Sequence, residues 1–149
     1  MNTHGSTIDP HKILDRIADM RKAVKELSTF AGMSKEEFLA DTKNEAVVSF
    51  WLLRAIEAAL TIANHIIAHT PGERGQKDYT KSLLWLGDRG IIPKEFAQKI
   101  QGMASVRNRL VHMYWEVKPE KLHDIAQNDL DDLRHFADHV QEWLRLSSS

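Results

Sequence analysis

The apolar residues of this chain recur at intervals of three and four, which is the spacing of a buried helix face. The first run begins after Asp9 and Pro10, an N-cap residue and a proline suited to the first helical turn. Its apolar positions are Ile13, Leu14, Ile17, Met20, Val24 and Leu27. Phe30 and Gly32 close the run, and we predict a left-handed C-cap at Gly32.

Two further start signals follow. Ser34 and Glu37 have the spacing of a capping box, which predicts a short helix through Phe38. Asp41 or Thr42 can cap the next helix, which we expect to run to about residue 68. This long helix is apolar on most of its faces. It should therefore lie centrally, covered by neighbouring helices or by a second subunit.

The second half of the chain is also helical in pattern. We predict one helix over residues 79–88, one from Pro93 to His112, and a final helix from Pro119 to about residue 144. Strand signals are almost absent. The pattern indicates an all-α fold, an antiparallel four-helix bundle with short additional helices. We expect residues 1–149 to form a single domain, with 1–8 and 146–149 flexible.

Composition excludes several classes of protein. The chain has 149 residues and no cysteine, so disulfides, thiolate zinc sites and a cysteine nucleophile are ruled out. The polar N-terminus lacks the apolar run of a signal peptide. We expect no stretch of membrane-spanning length, because the best candidate, 46–68, is interrupted by Ser49, Arg54, Glu57, Asn64 and His65. These features favour a cytoplasmic protein without a membrane anchor.

Charge is distributed unevenly along the chain. The net charge is −1, but residues 72–121 hold 10 lysines and arginines against 6 acidic residues, an excess of +4. This segment contains a cluster of reactive side chains, so it suggests anion binding. An ordinary fluctuation of charge between helices explains so small an excess equally well.

The cluster consists of Arg107, Asn108, His112 and Tyr114. Arginine neutralises phosphate oxygens and histidine transfers protons near neutral pH, a combination suited to phosphodiester chemistry. Asn108 and His112 share a helix face, whereas Arg107 lies about 140° from His112 on an ideal helix. A loosened helix end or a second subunit would bring the two together. Arg109 points away from the other residues of the cluster. The alternative to a chemical site is an ordinary helix C-terminus, where cationic side chains interact favourably with the helix dipole.

The run Arg107-x-x-x-x-His112-x-Tyr114 resembles the arginine–histidine motif of HEPN-domain ribonucleases, and in particular their HepT toxin branch. The similarity extends from about residue 13 to residue 143. Other segments that resemble the family are Phe38-Leu39-Ala40-Asp41, Ala55-Ile56-Glu57-Ala58-Ala59, Ile62-Ala63-Asn64-His65-Ile66-Ile67 and Gly90-Ile91-Ile92-Pro93.

The resemblance implies a metal-independent endoribonuclease toxin that needs no cofactor and uses the RNA 2′-hydroxyl as nucleophile. It implies that Arg107 and His112 are catalytic, with Asn108 in a supporting role. Arg107 would hold the scissile phosphate and His112 would act as general acid or base. The family acts as a homodimer in which two motifs line one cleft.

The resemblance also implies a partner. HepT-like toxins are paired with an MntA-like nucleotidyltransferase antitoxin, which transfers AMP to the tyrosine of the His-x-Tyr element, here Tyr114. An added AMP would place bulk and negative charge beside His112 and Arg107 and exclude an RNA phosphate. The alternative function is a non-catalytic binding or scaffold subunit of a nucleotidyltransferase.

Two histidine pairs and one charged pair are left over. His65/His69 and His135/His139 have the i, i+4 spacing that can chelate a metal, but each lacks a third ligand. We expect solvated or hydrogen-bonded histidines and no metal. Arg54 and Glu57 on the long apolar helix favour a buried or interface ion pair, or packing between subunits. A supporting role beside the catalytic motif is the alternative.

Overall fold

The computed structural model describes residues 8–73, 78–112 and 117–147. These ranges contain α-helices and no strand, which confirms the predicted all-α class. The helices are α1 (Pro10–Ser28), α2 (Lys35–Ala40), α3 (Thr42–Ala68), α4 (Tyr79–Asp88), α5 (Lys94–Ile100), α6 (Met103–His112), α7 (Pro119–Asn128) and α8 (Leu130–Ser147).

The helix starts follow the capping signals of the sequence. The Asp9 side chain accepts a hydrogen bond from the His11 backbone N–H, with Pro10 in the first turn of α1. The Ser34–Glu37 capping box is formed in both directions. Asp41 caps α3 by accepting from the Lys43 N–H at 2.9 Å. Each side chain thereby satisfies a backbone donor that a helix start leaves unpaired.

The predicted left-handed cap at Gly32 is wrong. α1 ends at Ser28, and Gly32 has no positive φ. Successive turn hydrogen bonds follow the helix instead, among them Phe30 N–H to the Leu27 carbonyl at 3.0 Å. Because these turns satisfy the terminal backbone groups, no left-handed residue is needed there. Gly90, by contrast, has φ +73° where α4 ends.

Two helices predicted as continuous are each divided. The predicted helix from Pro93 to His112 breaks between α5 and α6 at Gly102, a residue that lowers helix stability. The predicted last helix breaks at Asp129, whose φ of −111° and ψ of 0° depart from helical values. The short polar side chain of an aspartate can hydrogen-bond to nearby backbone groups in place of the helical hydrogen bonds, which favours the end of a helix at Asp129. Leu146 and Ser147, expected to be flexible, lie within α8.

The hydrophobic core is built around α3. α1 packs along α3, and α8 packs on α1. Fully buried side chains from all three helices meet in this core; the largest include Ile13, Met20, Leu52, Ile66 and Phe136. This packing leaves one polar stripe of α3 outside the core, and that stripe forms part of the candidate site.

Contrary to the expectation that no stretch reaches membrane-spanning length, α3 is long and apolar enough to cross a bilayer by length and composition. Half of its most apolar 18-residue window is buried inside the fold. The same residues supply the core, so the apolar character of α3 is accounted for by packing against the other helices.

Candidate active site

A cavity of about 300 Å³ opens between α1, α3, α4 and α6, and Arg107 reaches into it. Its lining is mostly polar, with three arginines and two carboxylates. The polar lining residues are Arg16, Asp19, Arg54, Glu57, Thr61, Asn64, Tyr79 and Arg107. A polar cavity with convergent cations is suited to an anionic ligand.

Arg107 is held from three sides. Its Nη2 donates to Glu57 Oε2 at 3.2 Å, and its Nη1 donates to Asn108 Oδ1 at 3.2 Å. The guanidinium carbon lies 5.0 Å from the centre of the Tyr79 ring, within the range of a cation–π contact. Only 18% of the Arg107 side chain is exposed. Two hydrogen bonds and one ring leave further N–H donors of the guanidinium available for a ligand.

One face of α3 forms the wall of the cavity. Arg54, Glu57, Thr61 and Asn64 recur at intervals of three and four and therefore share this face. Asn64 Oδ1 accepts from the Ser82 hydroxyl at 2.8 Å, which ties α3 to α4. Three of the polar residues that interrupt this apolar helix, Arg54, Glu57 and Asn64, thus line one site.

Arg54 and Glu57 do not form the expected pair with each other. Glu57 pairs with Arg107, while the Arg54 guanidinium lies 5.6 Å from the centre of the Phe50 ring. The reason is geometric. α6 packs against α3 and presents Arg107 to Glu57, whereas Arg54 extends over its own helix toward Phe50.

His112 is the last residue of α6 and is exposed. It does not line the Arg107 cavity, and no partner for its ring is found within the described residues. α6 is helical through His112, so the helix does not loosen before that residue. Arg109 is exposed, as predicted, and lines a different pocket. Tyr114 lies outside the described residues.

The His65/His69 pair is hydrogen-bonded within the fold. His65 Nε2 accepts from the Asp9 backbone N–H at 3.1 Å, and His69 Nδ1 lies 2.8 Å from the His65 carbonyl. Burial lowers the pKa of His65, and the positive charges of His69 and Lys12 lower it further, against the opposing effect of Asp9. The ring nitrogen of His65 therefore serves as the acceptor that anchors the start of α1 on α3.

The His135/His139 pair packs on an aromatic residue. Both rings lie against Phe96, at centroid distances of 6.4 Å and 5.0 Å. Burial and then the neighbouring His135 lower the pKa of His139, although Asp138 opposes them. Within the described part of the chain, no group of three potential metal ligands includes either histidine pair.

Sequence reasoning missed five polar residues that line the cavity: Arg16, Asp19, Thr61, Asn64 and Tyr79. Asn64 could have been found, because it continues the polar stripe of Arg54 and Glu57 on α3. Arg16 and Tyr79 carry no such signal. They come from α1 and α4, and only the packing of those helices brings them beside Arg107.

The family model described as ribonuclease HepT-like matches residues 20–140. This chain belongs to the HepT-like ribonuclease family, which confirms the resemblance found in the sequence.

Relatives and solved structures agree with this assignment. The chain is 26% identical over 119 residues to the tRNA nuclease HepT of Aphanizomenon flos-aquae, covering 78% of this chain and 79% of the relative. It is 25% identical over 130 residues to the mRNA nuclease HepT of Shewanella oneidensis, covering 87% and 96%.

Two solved structures share the fold. A toxin–antitoxin complex with AMP-PNP has a TM-score of 0.75 at 24% identity, covering 89% of this chain and 98% of the other. The tri-AMPylated Shewanella oneidensis HEPN toxin in complex with the MNT antitoxin has a TM-score of 0.74 at 24% identity, covering 88% and 97%.

Proposed function

We propose that this protein is the endoribonuclease toxin of a toxin–antitoxin system and cleaves RNA without a metal ion. The observation that carries the proposal is the placement of Arg107. The HepT-like ribonuclease model matches this chain over residues 20–140, and Arg107 projects into a polar cavity. Its guanidinium keeps N–H donors that are available to bind a phosphate.

The chemistry assigned to the motif is an internal displacement. A base removes the proton of the RNA 2′-hydroxyl, whose oxygen attacks the adjacent phosphorus. The bond from phosphorus to the 5′-oxygen breaks, and that oxygen takes up a proton. Arg107 stabilises the charge on the phosphate oxygens, His112 transfers a proton, and Asn108 orients Arg107 through their hydrogen bond. The products are a 2′,3′-cyclic phosphate and a 5′-hydroxyl.

A homodimer would complete this site. Within one subunit Arg107 points into the α3 cavity, whereas His112 is exposed and outside it. Since α6 is helical through His112, the support for a homodimer is that a second copy of the chain would bring an arginine and a histidine to one phosphate without a loosened helix. The α3 face beside the cavity also carries Val47 and Phe50, which are 41% and 53% exposed. Exposed apolar residues next to a functional site favour a protein contact.

The test of this function is RNA cleavage by the purified protein in excess EDTA. We expect cleavage, cyclic-phosphate products, and no reaction when the 2′-hydroxyl at the cleavage site is replaced by hydrogen. His112→Ala should lose about 10²–10⁴-fold in rate, the usual contribution of a general acid or base. Loss of activity in EDTA, or full activity of His112→Ala, would contradict the proposal.

The proposed partner is an MntA-like nucleotidyltransferase antitoxin that transfers AMP to Tyr114. The support is the fold shared with a toxin whose solved structure is tri-AMPylated and bound to its MNT antitoxin. A modified Tyr114 would carry negative charge close to His112 in the chain and would repel an RNA phosphate.

This partnership is tested by co-expression with an MntA-like nucleotidyltransferase, followed by mass spectrometry. We expect adenylyl groups on the peptide that contains Tyr114, and loss of RNA cleavage in the modified protein. The Tyr114→Phe variant should stay unmodified. Modification confined to other residues would rule out Tyr114 as the acceptor.

A further inference from the structure

The Arg107 cavity contains one cation that its own carboxylates do not neutralise. Arg107 is paired with Glu57 at 3.2 Å, and Arg16 is paired with Asp19 at 3.3 Å. Arg54 has no carboxylate partner among the residues that the structure describes, and its guanidinium makes a cation–π contact with the Phe50 ring. Three guanidiniums thus face two carboxylates, which leaves a positive charge at Arg54.

Arg54 and Arg107 line the same cavity, and Glu57 on α3 links their positions. Arg54 precedes Glu57 by three residues, a rise of about 4.5 Å along the helix axis. Glu57 in turn binds Arg107. Arg54 is exposed and lines the same cavity as Arg107, so a ligand that fills the cavity contacts both arginines.

We propose that this cavity is a subsite for the RNA nucleotide next to the scissile bond, with Arg54 as the principal ligand of its phosphate. This proposal rests on the ribonuclease function proposed above and extends it from the motif to α3 and α1. Arg16, from α1, lines the same cavity and contributes a weaker contact to this phosphate, because Asp19 partly neutralises its charge.

The uncharged end of the cavity suits the remainder of a nucleotide. Thr61 and Asn64 follow Arg54 and Glu57 along the same face of α3. Asn64 Oδ1 accepts from Ser82, and within the described residues its Nδ2 makes no hydrogen bond. An amide donor and a hydroxyl offer hydrogen bonds to a ribose or a base edge. A volume of about 300 Å³ is at the lower end of small-ligand pockets.

The experiment measures how salt weakens RNA binding. The probe is a single-stranded RNA oligonucleotide with all 2′-hydroxyls methylated, which the protein cannot cut, and binding is followed by fluorescence anisotropy across a KCl series. Each contact between a cation and a phosphate contributes about 0.7 to the slope of log K against log salt for single strands. Arg54→Ala should therefore reduce the magnitude of the slope by about 0.7. Arg16→Ala should reduce the magnitude by a smaller amount.

Two variants serve as controls. Arg54→Lys should keep the slope of the wild type, because it retains one positive charge. Arg134→Ala should also keep it. Arg134 matches Arg16 in exposure, 44% against 45%, and in having an acidic partner three residues away, but it lies on α8 outside the cavity. Thermal unfolding confirms that each variant is folded.

The outcomes separate this proposal from the proposed function. If the wild type cleaves and binds RNA but Arg54→Ala keeps its slope, the subsite is overturned and the nuclease remains. If Arg134→Ala lowers the slope as much as Arg54→Ala, binding is not localised to the cavity and the subsite is again overturned. If the wild type neither binds nor cleaves RNA, both proposals fail.

Discussion

α3 and α6 pack against each other, yet they differ in how many of their side chains are buried. α3 buries 11 of its 27 residues, and α6 buries only Ala104 and Leu110 of its 10. The buried side of α3 holds the fold together, while its polar stripe meets the polar residues of α6. Stability and the proposed chemistry therefore reside in different side chains, so substitutions should affect one without the other.

The largest effect on stability is expected from a core residue of α3. Ile66 is 1% exposed, so Ile66→Ala removes buried methyl groups and leaves a cavity. We expect the free energy of unfolding to fall by about 2–5 kcal/mol, measured by urea denaturation. Val111→Ala on α6, where the side chain is 39% exposed, should change it by less than about 0.5 kcal/mol. Equal losses in the two variants would remove the contrast between the helices.

The next largest effect is expected where α4 and α5 touch. A Cβ atom on Gly87 would lie 2.6 Å from Ala97 Cβ and 3.2 Å from Lys94 Cα. Gly87→Ala should therefore destabilise the protein by about 1–3 kcal/mol, as overpacking does. Adding Ala97→Gly should restore only part of the loss, since the Lys94 backbone stays in place.

Gly102, which separates α5 from α6, is the matched control for Gly87. No atom lies within 4 Å of a Cβ added there, and its φ is not positive. Gly102→Ala should leave stability unchanged or raise it by about 0.4–1 kcal/mol, because alanine restricts the unfolded chain. A loss comparable to that of Gly87→Ala would show that the break between the helices requires glycine.

A smaller effect is expected from pH. The pKa values of His65 and His139 are lowered in the folded protein, so the unfolded chain binds protons first as the pH falls below about 6.5, the ordinary histidine value. Their contribution to stability is complete above that pH and is lost as the pH falls toward the lowered values. Urea denaturation at pH 7.5 and 5.5 should show lower stability at the lower pH.

The variant His65→Gln tests the source of this dependence. It removes the titrating ring that accepts from the Asp9 N–H, so the difference in stability between the two pH values should shrink. An undiminished difference would assign the dependence to other groups.

The smallest effect is expected from the Arg107–Glu57 pair. The Glu57 side chain is 46% exposed, so water screens the interaction. A double-mutant cycle with Arg107→Gln and Glu57→Gln should give a coupling free energy below about 1 kcal/mol. A larger value would mean that this contact holds α6 on α3 rather than orienting Arg107.

The sequence predicted those features that depend on residues close together along the chain. The starts of α1, α2 and α3 follow from capping side chains, and the motif singled out Arg107. The breaks at Gly102 and Asp129 were missed because the apolar spacing continues across both residues. The pairing of Glu57 with Arg107 was missed for a different reason. It joins two helices distant in sequence, and α3 alone offers Arg54 as the nearer partner.

The most direct measurement compares two neighbouring arginines of α6. Arg107 reaches into the cavity, whereas Arg109 is exposed and lines another pocket. Rates of RNA cleavage in EDTA should fall by about 10²–10³-fold for Arg107→Ala, the usual loss when a donor to a developing oxyanion is removed. Arg109→Ala should cleave at nearly the rate of the wild type. Equal rates for the two variants would contradict the assignment of the chemistry to the Arg107 cavity.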